Sequence, residues 1–454
     1  LYMNTATVFA TWFGAELILA VSSTFLKEGL QGVVGDPFGA AFCLIFVALF
    51  LAAPYYRLKL MTVGDFYKKR YNRTVELASA AAISISYLGW SSANLVALGI
   101  VIHTVSGNAI TLEQGIVLGA VIVGIYTLFG GMWSVAFTDL FQTVIIVAGL
   151  IYIAWMLAGM AGGVDKVVAT AQASDRLKFF PGASLHDWLG FIAAFVTMAL
   201  GSVAQQDVFQ RVTSARTEKI ARQGTLLGGS LYLLMAFIPM FIAVSALLID
   251  PAMVKQMLSN ENDFQQVLPT LILQRTPLFA QVLFFGALLS AILSTASGTL
   301  LAPTAVITEN VIQPLWGHKL SDRKMLVLLR LILIGFTCCV TLFALQSESS
   351  MYQMVQDAYK VTLVAAFTPL VFGMFWRRAT PQGALLSMAC GVVAWQYAEH
   401  FISDALVPAQ LVGLGGAIVG MIVGSLAPTL MGGQGHPEIV DQARQPEVAD
   451  NPPA

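Results

Sequence analysis

The chain has 454 residues, 57% hydrophobic and 11% charged, with a formal net charge of −1. Soluble domains carry about 25% charged residues, so this composition excludes one, and a near-neutral balance gives no basis for nucleic-acid binding. Apolar runs of about 20 residues, the length that crosses a bilayer, recur from end to end and predict an all-α polytopic membrane protein in the lipid bilayer. Strand-type alternation is absent, which argues against a β-barrel.

About twelve spans are predicted. The first covers 3–26 and has Gly14 beside Glu16, with Thr11, Ser22 and Ser23 close by. The second covers 37–56, the third 75–105 with Trp90 inside it, and the fourth 111–130. The fifth, 133–160, has Asp139 just inside its start. A carboxylate at that depth faces protein or water and serves a function, or it is interfacial and pairs with an Arg. The sixth, 187–210, is interrupted by Gly201-Ser202, Gln205, Gln206 and Asp207. The seventh covers 222–249 and the eighth 276–312. The last four lie near 325–346, 353–376, 382–402 and 409–430. Residues 1–430 therefore form one transmembrane domain, and residues 431–454, poor in apolar residues, are expected to be a disordered tail. The chain opens on Leu1 almost directly inside an apolar run, so further residues upstream, up to a whole helix, are expected. Cys43, Cys338, Cys339 and Cys390 lie in apolar runs without His, which indicates neither a disulfide framework nor a zinc site.

Cationic clusters follow the even-numbered spans: Arg57, Lys59, Lys68, Lys69, Arg70 and Arg73; Arg211, Arg216, Lys219 and Arg222; Lys319, Arg323 and Lys324; Arg377 and Arg378. If the spans alternate, all four clusters fall on one side. The positive-inside rule makes that side cytoplasmic, and with it the C-terminus, in a cell membrane. Gly and polar residues inside the first and sixth spans permit unwinding. Two interrupted spans five apart are the pattern of a five-helix unit repeated with inverted topology.

The eighth span holds Ala291-Ile292-Leu293-Ser294-Thr295. Helical spacing puts the Ala291 carbonyl side and the Ser294 and Thr295 hydroxyls on one face. Neutral oxygens in a dry place suit a hard cation such as Na⁺, while small residues also let two helices pack closely. No nucleophile–base pair, phosphate-cradling loop or metal-ligand spacing appears, so no enzyme is expected.

Several phrases resemble the sodium:solute symporter family. They are Ala10-Thr11-Trp12-Phe13-Gly14, Gly130-Gly131-Met132-Trp133-Ser134 leading into Thr138-Asp139-Leu140-Phe141-Gln142, Phe209-Gln210-Arg211 with Ser214-Ala215-Arg216, and Ser290 through Thr295. Their order holds over roughly residues 5 to 430. The resemblance implies a leucine-transporter-type fold, an inverted five-helix repeat plus two C-terminal helices, and Na⁺-coupled uptake of a small organic solute. It further implies Na⁺ as coupling ion, bound by the carbonyls of Ala10, Phe13 and Ala291 and the hydroxyls of Ser294 and Thr295. Asp139 would contribute to ion handling or the inner exit path.

Substrate contacts are expected at Trp12, Glu16, Trp90, Ser202 and Gln205. The placement of Trp12 and Trp90 resembles the choline-transporter branch, whose aromatic faces hold a quaternary ammonium. A further tryptophan of that cage falls at Gln205 here. Glu16 could offset an amine on the solute or bond to unwound backbone. An amine, amino acid or choline-like solute is favoured, and no obligate protein partner is evident. The alternative reading is a solute-sensing, transporter-like receptor module.

Overall fold

Inside a bilayer no water is available to the backbone, so each N–H and C=O must be satisfied within its own helix. Every described element of the computed structural model is accordingly helical. The structure describes residues 1–260, 264–316, 321–402, 406–428 and 435–444. The side chains of residues 130–136, which include the predicted Gly130–Ser134 motif, lie outside that description.

Among the described residues, ten helices are long and apolar enough to cross a membrane. They are Val34–Leu58, Arg73–Val105, Leu112–Phe129, Phe137–Ala161, Leu185–Ala204, Glu218–Ile249, Leu278–Trp316, Asp322–Gln346, Met351–Phe375 and Ala409–Leu426. The first span is a further crossing made of two helices, Tyr2–Trp12 and Glu16–Gly32, bent by 55°. The expected eleventh span is the helix Pro381–Phe401, made more polar by Gln382, Gln396, Glu399 and His400. It lies tightly along Ala409–Leu426, where Ser387 Oγ donates to the Ala417 carbonyl at 2.7 Å. Gly424 lies against Gly383, Gly413 against the Gly391 carbonyl, and Gly416 and Gly420 against the Cys390 and Leu386 carbonyls, a small-residue seam that lets two helix backbones approach closely.

The fourth and fifth spans are separate crossings. Tyr126 Oη and Thr138 Oγ1 lie 2.8 Å apart. Twelve residues of continuous helix would hold them about 18 Å apart, so the chain reverses between Phe129 and Phe137. Large apolar side chains such as Phe129, Trp155, Leu234 and Val393 are exposed, which in a bilayer places them against lipid.

The loops that carry the cationic clusters meet on one face, with Lys319 of the third cluster outside the described residues. Arg57 forms a two-pronged pair with Glu218 (2.8 Å), joining the loops after the second and sixth spans. Arg70 Nε donates to the Gly373 carbonyl (2.9 Å), at the end of the tenth span. Thr62 Oγ1 bonds Asn310 Oδ1 (2.7 Å), at the end of the eighth. Thr62 and Asp65 form a reciprocal cap that starts the short helix Val63–Arg70 and fixes this corner. On the opposite face, the Leu30 N–H donates to the Arg176 carbonyl (2.8 Å), and Arg275 pairs with Asp250.

One stretch departs from expectation. Within the tail expected to be disordered, Glu438–Arg444 is a helix that buries Ile439, Val440 and Ala443 against the basic face. Arg377 reaches its Asp441 at 2.6 Å. Three apolar residues at i, i+1 and i+4 supply one sticky face, enough to dock a short helix on a prepared surface. Residues 429–434 and 445–454 lie outside the described residues.

The first and sixth spans break as expected. Gly14 N–H bonds the Trp12 carbonyl (2.9 Å), not Ala10 four residues back, so the helix ends at Trp12 and restarts at Glu16. In the sixth, Gln205 is extended (φ −75, ψ 140), and a second helix, Gln206–Thr213, follows. Five crossings separate the breaks. An odd number reverses direction, so the two five-span units run oppositely through the bilayer, the leucine-transporter arrangement. The basic-face half of the first span, Tyr2–Trp12, packs on the fifth, seventh and eighth spans, and the third packs on the tenth and eighth.

Candidate functional site

The break in the first span seats directly on the eighth. Unwinding frees the Ala10 carbonyl from its helical partner, and Thr295 Oγ1 meets it at 3.4 Å. A Cβ on Gly14 would stand 2.8 Å from Thr295 Oγ1, so only glycine permits this approach without displacing the hydroxyl. Ala10, Phe13, Ala291 and Ser294 are fully buried, and Thr295 is 1% exposed. The structure thus brings the two expected segments together, with Thr295 at their contact.

Ser294 turns toward the fifth span, where its hydroxyl donates to Asp139 Oδ1 at 2.6 Å. Asp139 is fully buried and Oδ2 has no hydrogen-bond partner. Among the described residues no ion pair within 4.0 Å joins Asp139 to a basic side chain. A hydroxyl that donates its proton to a carboxylate keeps its lone pairs for another partner. Both hydroxyls spend their protons on oxygen acceptors, leaving oxygen lone pairs in a dry space. That arrangement can coordinate a hard cation.

A second group forms between the two breaks. Trp12 and Trp90 touch edge to face, with ring centroids 5.9 Å apart. Tyr232 adds an edge contact to Trp12 at 6.5 Å, and Tyr359 lies 5.7 Å from Trp90. The Trp12 indole N–H donates to Asp207 Oδ2 at 3.0 Å, and the Tyr87 hydroxyl donates to Asp207 Oδ1. Asp207 sits in the first turn of Gln206–Thr213, where the helix dipole favours a negative charge. Glu16 holds the matching place at the start of Glu16–Gly32, against the Trp90 indole and the Asp36 carboxyl. Tyr232 donates to Asp36 Oδ1.

The remaining expected residues separate. Gln205 Nε2 donates to Ser86 Oγ at 2.7 Å and lies 3.4 Å from Thr362 Oγ1, at the edge of the aromatic group. Ser202 is buried but its hydroxyl bonds back to the Met198 carbonyl at 2.6 Å, within its own helix. Asp36, Tyr87, Tyr232, Tyr359 and Arg211 were not expected here. Asp36 and Asp207 could have been flagged as carboxylates inside apolar runs. The tyrosines carry no such mark, because their role depends on which spans face each other.

Below the breaks, Arg211 ties the two basic-face halves together. Its Nε donates to Thr11 Oγ1 at 3.0 Å, and Asn4 Nδ2 donates to its carbonyl at 2.8 Å. A cavity of about 660 Å³ lies on the basic-face side of this tie, reaching from Lys59 and Arg330 to Arg211 and Gly298.

A sequence model of the sodium:solute symporter family matches residues 1–391. The chain is 25% identical over 390 residues to high-affinity choline transporter 1 of Torpedo marmorata, covering 85% of this chain and 66% of that protein. Against the Drosophila melanogaster choline transporter it spans 58% of the relative's length. It is 26% identical over 405 residues to the high-affinity proline transporter PutP of Bacillus subtilis, covering 86% and 82% of the two chains. Among solved structures, a Na⁺-coupled sialic acid symporter in a substrate-bound outward-open state superposes with a TM-score of 0.78 at 17% identity, over 94% of this chain and 89% of that one. MhsT in complex with L-phenylalanine gives 0.59 at 14% identity, over 93% and 97%. At these identities the structural likeness is one of fold.

Proposed function

The chain belongs to the sodium:solute symporter family, and from that premise we propose a sodium-coupled symporter that imports a small organic solute by alternating access. In this reading Na⁺ lies between the carbonyls of Ala10, Phe13 and Ala291 and the hydroxyls of Ser294 and Thr295. Asp139, behind Ser294, draws the ion along its path. The observation that carries the reading is the unwound Ala10 carbonyl facing Thr295 Oγ1 at 3.4 Å, with Gly14 admitting the approach. Neither group needs the other for its own helix, and a cation gives both a common partner.

The solute lies between the breaks, against Trp12, Glu16, Trp90, Ser202 and Gln205, with an amine, amino acid or choline-like compound favoured. Bound Na⁺ ties the first span to the eighth and stabilises the solute-ready state. Its loss frees the first span, and the solute leaves through the cavity that opens on the basic face. That face is cytoplasmic by the positive-inside rule, which puts the C-terminus in the cytoplasm and the protein in the cell membrane. One charge crossing 100 mV supplies about 2.3 kcal/mol. A tenfold Na⁺ gradient adds about 1.4 kcal/mol.

The test is uptake by proteoliposomes holding the purified protein, screened over amines, amino acids and carboxylates under an inward Na⁺ gradient. Accumulation above the external concentration that vanishes when K⁺ replaces Na⁺ is the expected result. Equal uptake in Na⁺ and K⁺ would refute the reading.

A further inference from the structure

We propose that the solute is a protonated amine that keeps N–H bonds and carries no carboxylate, held by Glu16, Asp36 and Gln205. The inference rests on the symporter reading above and names the class of its cargo.

Glu16 begins the far half of the first span, and Asp36 sits in a non-helical turn of the second (φ −128, ψ 121). The two carboxyls lie against each other, and Asp36 is 2% exposed. No Lys, Arg or His comes within 4.0 Å of either among the described residues. Buried charge without a partner is costly, so the positive charge that balances this pair comes from outside the chain. A proton shared between the two carboxyls would relieve their repulsion. It would not serve Glu16 Oε1, which is buried and has no hydrogen-bond partner.

An independent acceptor lies at the other break. Gln205 is 1% exposed, and its Oε1 also lacks a partner. Thr362 donates its own proton to the Tyr359 carbonyl (3.3 Å), which keeps the amide nitrogen on Thr362 and leaves the oxygen unserved. Thr362 is one turn past Tyr359, and Ser86, the other anchor, is one turn before Trp90, so this oxygen borders the same aromatic group. An unserved buried acceptor is costly, and a ligand rich in donors removes that cost.

Three ligand classes separate on this chemistry. A quaternary ammonium has no N–H to give Glu16 or Gln205. The slot it would use for ring contacts is closed, since Trp12 and Trp90 already touch at 5.9 Å. A zwitterion brings a carboxylate beside Glu16 and Asp36 and is repelled. A primary or secondary ammonium supplies both the charge and the donors.

The test uses the full chain in lipid nanodiscs with Na⁺ present. Thermal stabilisation is titrated with ethanolamine, N-methylethanolamine, N,N-dimethylethanolamine and choline, in which N–H bonds give way to N-methyl groups one at a time, and with serine, which adds a carboxylate to ethanolamine. Ethanolamine is expected to act at a concentration at least about tenfold below choline and serine. Glu16→Gln and Gln205→Leu should each cost ethanolamine about tenfold and flatten the series. If Glu16→Gln fails to yield folded protein, Asp36→Asn carries the same expectation. The proposal is overturned if choline or serine matches ethanolamine, if both variants bind ethanolamine like the parent, or if no member binds a protein that still shows a Na⁺-induced shift. Absence of any Na⁺-induced shift in the parent would instead sink the symporter reading.

Discussion

Thr295→Val keeps a branched side chain of the same shape and deletes one oxygen. In the structure that oxygen makes a single long bond, 3.4 Å to the Ala10 carbonyl. Its removal should cost the ion-free protein less than about 1 kcal/mol. A polar group facing a charge is worth more, about 1.5–3 kcal/mol. Na⁺ affinity should therefore fall about 10- to 150-fold. At a Na⁺ concentration of about 100 times the parent's Kd, the ion adds about 2.7 kcal/mol to stability. With the Kd raised tenfold the gain drops to about 1.4 kcal/mol, and with a hundredfold rise to about 0.4 kcal/mol. The assay is thermal unfolding against NaCl, with KCl holding ionic strength constant. A variant that is folded and keeps the parent's Na⁺ midpoint would show that Thr295 does not touch the ion.

Ser294→Ala should behave differently, because it takes away the donor to Asp139 Oδ1 while Oδ2 already has none. It should destabilise the ion-free protein by about 1–3 kcal/mol more than Thr295→Val, read from unfolding in KCl alone. Gly14→Ala pushes a methyl to 2.8 Å from Thr295 Oγ1. Overpacking of that kind costs about 1–3 kcal/mol, and it should weaken the Na⁺ response at least as much as deleting the hydroxyl. Gly391→Ala drives a methyl into the Val364 carbonyl and should lower thermal stability by a similar about 1–3 kcal/mol while leaving the Na⁺ midpoint unchanged. At the far face, hydrogen bonds from Arg275 hold the Asp250 carboxyl below the usual carboxylate range. A depressed folded value means stability that is present above about pH 4, the unfolded value, and is lost as the pH falls below it. Asp250→Asn should flatten the acid limb of a melting-temperature profile, and an unchanged acid limb would remove this pair from the account.

Span number, the shared basic face and the two breaks were legible because each has a local cause. Length and hydropathy mark a crossing, Arg and Lys mark one face, and Gly14 and Gly201-Ser202 mark weak helix. The burial of the Ala291, Ser294 and Thr295 stretch was legible for the same reason, but helical spacing did not say that Ser294 turns to the fifth span and Thr295 to the first. Residues whose role depends on which spans face each other were not legible. Asp139 reads as a carboxylate near an interface until the eighth span brings Ser294 to it. Asp36 lies in a turn that no periodicity announces, and only the fold sets it beside Glu16. Ser202 sits at the right break, yet its proton stays within its own helix, a rotamer choice that spacing does not encode. Glu438–Arg444 escaped notice because its three apolar residues matter only where a receiving surface exists.

The Arg211 tie has a mechanical meaning. It grips Thr11 on one interrupted helix while its own backbone belongs to the other, and Asn4 adds a second fastening a few residues away. Two stubs pinned at two points tilt as one lever. The pivots are then the unwound residues above them, Phe13 to Ala15 and Gln205. Motion at the first break is thereby geared to motion at the second, without a separate signal passing between them.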